Sequence, residues 1–79
     1  MVDAYVLIQV KPGTAGRGVS GEVAAVRGIL AAEDVSGPYD VIARAQASTL
    51  DHLMKIGVAR IQAIDGVIRT LVCPVVRLR

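Results

Sequence analysis

The order of apolar patterns constrains the fold of this 79-residue chain more than any other feature. Apolar residues alternate with polar ones where strands are expected and recur every three or four residues where helices are expected. The predicted strands span residues 2–10, 29–36, 39–47 and 67–78, and the predicted helices span 14–27 and 48–64. This βαββαβ order predicts a ferredoxin-like α+β fold, in which a four-stranded antiparallel sheet of order 4-1-3-2 carries both helices on one face.

The second predicted helix has the clearest pattern in the sequence. We expect Ser48 or Thr49 to be its N-cap and Asp65-Gly66 to end it. Its apolar stripe consists of Leu50, Leu53, Met54, Val58, Ile61 and Ile64. The first helix is weaker, because each glycine within it costs about 1 kcal/mol relative to alanine, and we expect Gly28 at its C-terminal cap.

The sheet is expected to have one free edge and one open face. Pro74 has no backbone N–H to donate, so the last strand should lie at an edge, as the order 4-1-3-2 requires. The face away from the helices is half polar, with Ile42, Arg44 and Gln46 in the third strand. Because 53% of so short a chain is hydrophobic, we expect a partner subunit's sheet to cover this face.

Charge and aromatic content argue against nucleic-acid binding. The net charge is only +2, and the basic residues are scattered singly rather than clustered. A phosphate backbone usually requires a basic stripe, and single-stranded RNA requires several stacking aromatic rings. Tyr5 and Tyr39 are the only aromatic residues. We therefore predict no direct contact with nucleic acid.

Cysteine and histidine usage predicts neither a disulfide nor a metal site. Cys73 is the single cysteine and is expected to be a small buried apolar residue. His52 has no second ligand at metal-binding spacing and is expected to lie on the surface. The sequence shows neither a secretory signal nor the roughly 20-residue apolar stretch of a membrane span. We therefore predict one cytoplasmic domain over residues 1–79.

No motif predicts catalysis or a cofactor. The segment Gly16–Gly21 matches G-x-G-x-x-G, but its first glycine lies several residues after the strand, so we reject a dinucleotide site. The same segment resembles the Gly-Arg loop of acylphosphatases, which need an Asn that this chain lacks. We predict no catalytic residues and no enzyme, with a small ferredoxin-like barrel enzyme as an alternative.

The turn Gly37-Pro38-Tyr39-Asp40 has two possible interpretations. Gly-Pro is ordinary turn chemistry, which favours a structural role. However, a buried tyrosine hydroxyl needs a hydrogen-bond partner, and a carboxylate at an interface needs a cation or several donors. An amino-acid ligand would meet both needs, because its ammonium pairs with Asp40 and its carboxylate binds backbone N–H groups or an arginine. The residues alone leave both interpretations open.

Over nearly its whole length the chain resembles the C-terminal effector domain of the Lrp/AsnC feast/famine regulators, the RAM domain. The similarity is most specific at the Gly-Pro-Tyr-Asp turn and at Gly66-Val67 and Arg69-Thr70. The resemblance implies dimers formed by packed sheets, higher assemblies that are often octamers, and effectors, usually amino acids, bound between dimers. It implies ligand-binding residues at Gly37, Pro38, Tyr39 and Asp40, completed by Arg69 and Thr70 of a neighbouring subunit.

The resemblance also implies a regulatory role. Full-length relatives carry an N-terminal helix-turn-helix, whereas this chain begins with Met at the first strand and resembles a stand-alone domain. Such a module would sense an amino acid or related metabolite and modulate transcriptional regulators by co-assembly with full-length relatives.

One departure from the family pattern bears on that role. Val72 stands where relatives often have a second threonine, which implies weaker hydrogen bonds to the ligand, a more apolar ligand or none. The alternative is a purely structural oligomerisation module. An ACT-like regulatory domain would share the element order but join its sheets side by side.

Overall fold

The computed structural model describes residues 1–13 and 18–77, which form one antiparallel sheet with helices packed on it. The strands are β1 Val2–Val10, β2 Ile29–Asp34, β3 Val41–Ala47 and β4 Val67–Pro74, and helix α1 spans Val19–Ala24. Helix α2 comprises α-helical Leu50–His52, π-helical Leu53–Val58 and α-helical Ala59–Gln62. The strand order β2-β3-β1-β4 confirms the predicted 4-1-3-2 topology and the ferredoxin-like α+β fold.

The core lies between the sheet and the helices. The alternation in β1 is confirmed, because its even-numbered residues from Ala4 to Val10 are buried. The other buried apolar residues are Val41, Ala43 and Ala45 in β3, Val19 and Val23 in α1, and Leu53, Val58 and Ile61 in α2. Burying a Val, Leu or Ile side chain contributes roughly 1.5–3 kcal/mol, so this single apolar layer is the main source of stability.

The opposite sheet face is uncovered in the described part of the chain. Its centre is an apolar row in which Leu7 pairs with Ile42 of β3 and with Leu71 of β4. Tyr5 lies beside this row and is 43% exposed, while Leu71 is 45% exposed. We call this surface, with Tyr5, Leu7, Ile42 and Leu71 at its centre, the open face.

Cys73 lies on the open face rather than in the core. The prediction that it is buried is wrong for the single chain, since Cys73 is exposed and pairs with Tyr5. The period-two alternation of β4 places it on the side opposite Val72, which packs against the core. His52 is exposed, as predicted.

The helical stripe in α2 is only partly buried. Thr49 is the N-cap, because its hydroxyl accepts a hydrogen bond from the N–H of His52 at 3.0 Å. Leu50 and Met54 belong to the predicted apolar stripe, yet they are 43% and 45% exposed. The π-helical segment has more residues per turn than an α-helix, so a stripe with α-helical spacing drifts away from the core.

Other boundaries are shorter than predicted. Strand β2 ends at Asp34 instead of residue 36, and β3 begins at Val41 instead of 39, because the residues between them form a hydrogen-bonded turn. Strand β4 lies at the sheet edge, as Pro74 predicts, and ends there, while the predicted end at Leu78 lies outside the described residues.

Helix α1 also differs from the prediction at both ends. It begins at Val19, and the predicted start at Thr14, with Gly16 and Arg17, lies outside the described residues. It ends at Ala24 instead of residue 27, so Gly28 does not cap the helix itself. Gly28 instead ends the turn that leads into β2, with a positive φ of 93°.

The backbone around Gly28 requires glycine. A Cβ there would lie 3.0 Å from the backbone oxygen of Gln46 and would also force a side chain into a positive φ. We therefore expect Gly28→Ala to lower the free energy of unfolding by about 2 kcal/mol in urea titrations. Gly21→Ala is the matched control, because Gly21 lies in α1 with open space around it, and should raise that free energy by about 0.5–1 kcal/mol. Equal effects of the two substitutions would contradict this account.

Asp3 ties the segment after β4 to the first strand. Its carboxylate accepts hydrogen bonds from Arg77 and, at 3.0 Å, from the amide nitrogen of Gln46, and its backbone oxygen accepts one from Val75 at 2.8 Å. The hydrogen bonds from Arg77 and Gln46, together with the charges of Arg77 and Arg44, outweigh burial and hold the pKa of the Asp3 carboxyl below its ordinary value.

The lowered pKa predicts a pH dependence of stability. The Asp3 carboxylate stabilises the fold above the unfolded-state pKa of about 4, and this contribution is lost as pH falls through the lower folded-state pKa. The urea midpoint of Asp3→Asn should therefore lie below that of the wild type at neutral pH, and the two should converge under acidic conditions. Arg77→Gln should show the same convergence. A difference that is independent of pH would contradict this assignment.

Candidate functional site

The predicted binding turn is held by one hydrogen bond across its base and by another to the central strand β1. Within it the N–H of Val35 donates to the carbonyl oxygen of Asp40 at 2.9 Å, and the N–H of Asp40 donates to the carbonyl oxygen of Ile8, also at 2.9 Å. Gly37 has φ of 151°, a conformation that L-amino acids rarely adopt, and precedes Pro38. These constraints give the turn a fixed shape at one end of the sheet.

The Asp40 side chain has a partner within its own chain. Its Oδ2 atom accepts a hydrogen bond from the backbone N–H of Val10 at 2.9 Å, in a partly buried position. The pairing of β1 with β4 shifts register between Gln9 and Val10, so Val10 lies where the ladder is irregular. The carboxylate thus supplies the acceptor for the end of β1, and its Oδ1 atom remains able to accept from another donor.

The remaining turn residues differ in exposure. Gly37 and Pro38 are exposed, while Tyr39 is half-buried. Within residues 1–13 and 18–77 the Tyr39 hydroxyl makes no side-chain hydrogen bond. The turn therefore presents an aromatic ring with an available hydroxyl beside a fixed carboxylate.

Arg69 and Thr70 lie on opposite faces of β4, as consecutive strand residues must. Arg69 pairs with Gln9, is exposed, and has no ion-pair partner among the described residues. Thr70 pairs with Ile8, and its hydroxyl oxygen accepts a hydrogen bond from the Gln62 amide at 2.9 Å. The hydroxyl hydrogen of Thr70 remains available to donate.

The predicted site residues all lie near the same end of the sheet but do not meet in one chain. Asp40 is bonded to Ile8 and Val10 on the β3 side of β1, whereas Arg69 faces Gln9 on the β4 side. Strand β1 separates the two groups.

Two cavities in the structure involve residues that the sequence analysis did not single out as binding residues. An apolar groove of about 300 Å³ lies between α2 and β4 and is lined by Leu50, Met54, Val58, Gln62, Thr70, Leu71, Val72 and Pro74. A second cavity of about 260 Å³ includes Arg27, Gln46, Ser48 and His52. These residues come from separate elements, so no spacing in the sequence signals them.

The described residues lack two further kinds of feature. Across the ranges 1–13 and 18–77, no three His, Cys, Asp or Glu residues are grouped so as to hold a metal ion. In the same ranges, no helix is both long and apolar enough to cross a membrane.

Comparison with solved structures places the fold among known proteins. TTHA0845 from Thermus thermophilus is 24% identical and superposes with a TM-score of 0.86 over 100% of this chain and 98% of its own. The hypothetical protein PHS023 from Pyrococcus horikoshii is also 24% identical, with a TM-score of 0.82 over 99% and 93% of the two chains. At these identities the likeness shows a shared fold.

A longer structure matches over part of its length. AsnC from E. coli is 18% identical, with a TM-score of 0.84 over 98% of this chain, which spans only 52% of AsnC. No curated protein sequence matches the chain significantly. The sequence profile of the Lrp/AsnC ligand-binding domain, however, matches residues 3–78. The chain therefore belongs to the Lrp/AsnC ligand-binding domain family.

Proposed function

We propose that the protein is an oligomeric sensor that binds a small amino acid or a related metabolite between subunits. The turn Gly37–Asp40 of one subunit supplies one half of the site, and Arg69 and Thr70 of a neighbouring subunit supply the other. The observation that carries this proposal is the arrangement near the end of β1. A fixed carboxylate lies there with a tyrosine hydroxyl and an arginine that have no side-chain partner within residues 1–13 and 18–77.

The chemistry of these groups matches an amino acid. The planar guanidinium of Arg69 can bind the ligand carboxylate through two parallel hydrogen bonds. The Oδ1 atom of Asp40 can accept from the ligand ammonium while Oδ2 stays bonded to Val10. The hydroxyls of Tyr39 and Thr70 can bond to either group, and the position of Val72 offers only apolar surface.

Assembly through the open face would supply the second subunit. The row formed by Leu7, Ile42 and Leu71 gives this face an apolar centre, and Arg44 and Glu33 beside it are charged. An apolar centre with a polar rim is the usual anatomy of a specific interface. We propose dimers that pack by this face and associate further, and co-assembly of the same face with full-length Lrp/AsnC regulators. Regulation then proceeds by binding, without a catalytic step.

A purely structural module is the second candidate. The bonds from Val10 to Asp40 and from Gln62 to Thr70 favour it, because each gives a proposed ligand-binding residue a partner within its own chain. Under this alternative the turn only holds β1 and β3 together, and no ligand is bound. The two candidates differ in their response to ligand.

Binding of an amino acid should stabilise the folded protein. At least one of the common amino acids should raise the midpoint of thermal unfolding by a few degrees, because a ligand that binds only the folded state stabilises it. Arg69→Gln should abolish this rise, since the ligand carboxylate loses its cation. Arg60→Gln, at an exposed arginine in α2, should respond like the wild type.

Native mass measurement of the same samples tests the assembly. The wild type and both arginine variants should be larger than a monomer. A flat thermal response across the whole panel, in an intact oligomer, would support the structural candidate instead. A wild-type protein that is monomeric at all concentrations would overturn the proposed assembly.

Substitutions at Asp40 separate its two roles. Asp40→Ala should lower the free energy of unfolding by about 1–2 kcal/mol, because the partly buried N–H of Val10 loses its acceptor. Asp40→Asn keeps an oxygen acceptor and should retain most of the stability, but it should weaken the ligand response because the charge is lost. Asp65→Ala, at an exposed carboxylate, is the control and should change stability by less than about 0.5 kcal/mol. Equal unfolding midpoints for Asp40→Ala and Asp65→Ala would refute the structural role.

A further inference from the structure

A cavity of about 260 Å³ lies at the end of the sheet opposite the Gly37–Asp40 turn. Its walls come from three segments: residues 27–28 before β2, residues 46–48 at the end of β3, and residues 52–57 in α2. Strands β2 and β3 run between this cavity and the turn, so the two sites are separate. The inference below does not depend on the proposed effector site.

The polar lining of the cavity is basic and lacks a compensating acid. Arg27 and His52 line it, and no carboxylate does. The neighbouring carboxylate of Asp51 lies 3.4 Å from the ammonium of Lys55, and that of Asp3 is bonded to Arg77 and Gln46. In the described structure no carboxylate is paired with Arg27 or His52. An anion would therefore meet the positive charge of Arg27, an imidazole of His52 that can donate a hydrogen bond, and no carboxylate in the lining.

Two glycines, Gly28 and Gly57, lie in the cavity walls at positions where a Cβ atom would make close contacts. The carbonyl oxygen of Gly28 accepts from the N–H of Gln46 at 2.8 Å, which holds the two walls together, and a Cβ on Gly28 would clash there. A Cβ on Gly57 would lie 3.2 Å from Cδ1 of Leu53. The Gln46 amide nitrogen is engaged with Asp3, which fixes this side chain as well. The backbone of these walls and the side chain of Gln46 are therefore restrained.

The cavity coincides with the π-helical part of α2. Three residues of that segment, Leu53, Ile56 and Gly57, form its wall, and His52 immediately precedes them. π-Helical segments are rare and occur frequently at functional sites. The distortion of the helix and the uncompensated basic charge are independent observations that point to the same place.

We propose that this cavity binds a small carboxylate with a short apolar tail. The carboxylate contacts the guanidinium of Arg27, with the imidazole of His52 and the hydroxyl of Ser48 as further donors. The tail packs against Leu53 and Ile56. A volume of about 260 Å³ is at the lower end for small-molecule sites and fits a ligand of few heavy atoms.

Isovalerate is a suitable probe, because it joins a carboxylate to a branched apolar tail and has no ammonium for Asp40. NMR titration of the isoleucine-methyl-labelled protein should show a saturable shift of the Ile56 methyl signal, with Ile42 on the open face unchanged. The uncharged isovaleramide should give no saturable shift. Arg27→Gln should weaken isovalerate binding about tenfold, as loss of a charge-assisted hydrogen bond requires, while Arg60→Gln should leave it unchanged.

Several results would overturn the proposal. These are the absence of a saturable Ile56 shift in the folded wild type, equal binding of isovalerate and isovaleramide, or equal effects of the two arginine substitutions. Inorganic phosphate is titrated separately as a second anion without an apolar tail. Saturable binding of phosphate without isovalerate would also overturn the assignment, because it would show an anion site with no role for the apolar wall. Because isovalerate binding is read at Ile56, its failure leaves the Arg69-dependent response to amino acids unaffected.

Discussion

The end of strand β1 is the point on which the rest of the structure depends. β1 is a central strand, hydrogen-bonded to β3 on one side and to β4 on the other. Its even-numbered residues from Ala4 to Val10 face the helices and form part of the core. At its last residue the ladder becomes irregular, and the N–H of Val10 bonds to the Asp40 carboxylate instead of to a strand carbonyl. An unpaired, partly buried N–H would cost about 1–3 kcal/mol, so this bond fixes the turn that begins β3. Arg69 lies across from Gln9, the residue before Val10, so the turn and Arg69 are placed at the same end of β1.

Local periodicity was enough to predict the order of strands in the sheet, because strand alternation and proline position can be read from neighbouring residues. The alternation in β1 and the missing N–H of Pro74 gave the buried face and the edge strand correctly. The α2 stripe was predicted less well, since Met54 is exposed within the π-helical segment and Leu50 is exposed in the short α-helical turn before it. No propensity distinguishes a π-helical segment from an α-helical one in six residues. The position of Cys73 was mispredicted because cysteine is usually a buried residue type. The register of β4 instead places Cys73 on the open face.

The residues of the proposed site could be named from the sequence, but their hydrogen bonds could not. The turn chemistry and the family resemblance identified Gly37–Asp40 and Arg69-Thr70, and the structure places all of them near one sheet end. The partners of Asp40 and Thr70 come from residues 30 and 8 positions away along the chain, so no spacing rule reveals them. The basic cavity is harder still to predict, because Arg27, Ser48 and His52 become neighbours only when β2 and β3 pair and α2 packs over them.

The bond between Val10 and Asp40 bears on the strength of the proposed effector site. A carboxylate already held by a backbone N–H loses little freedom when its second oxygen meets a ligand, so this half of the site is preorganised. Arg69 is exposed and unpaired among the described residues, and ordering such a long side chain costs up to about 2 kcal/mol. Packing of a neighbouring subunit around Arg69 would restrict it before the ligand arrives. Affinity should therefore rise with assembly, and by linkage a bound ligand should favour the assembled state by the same free energy.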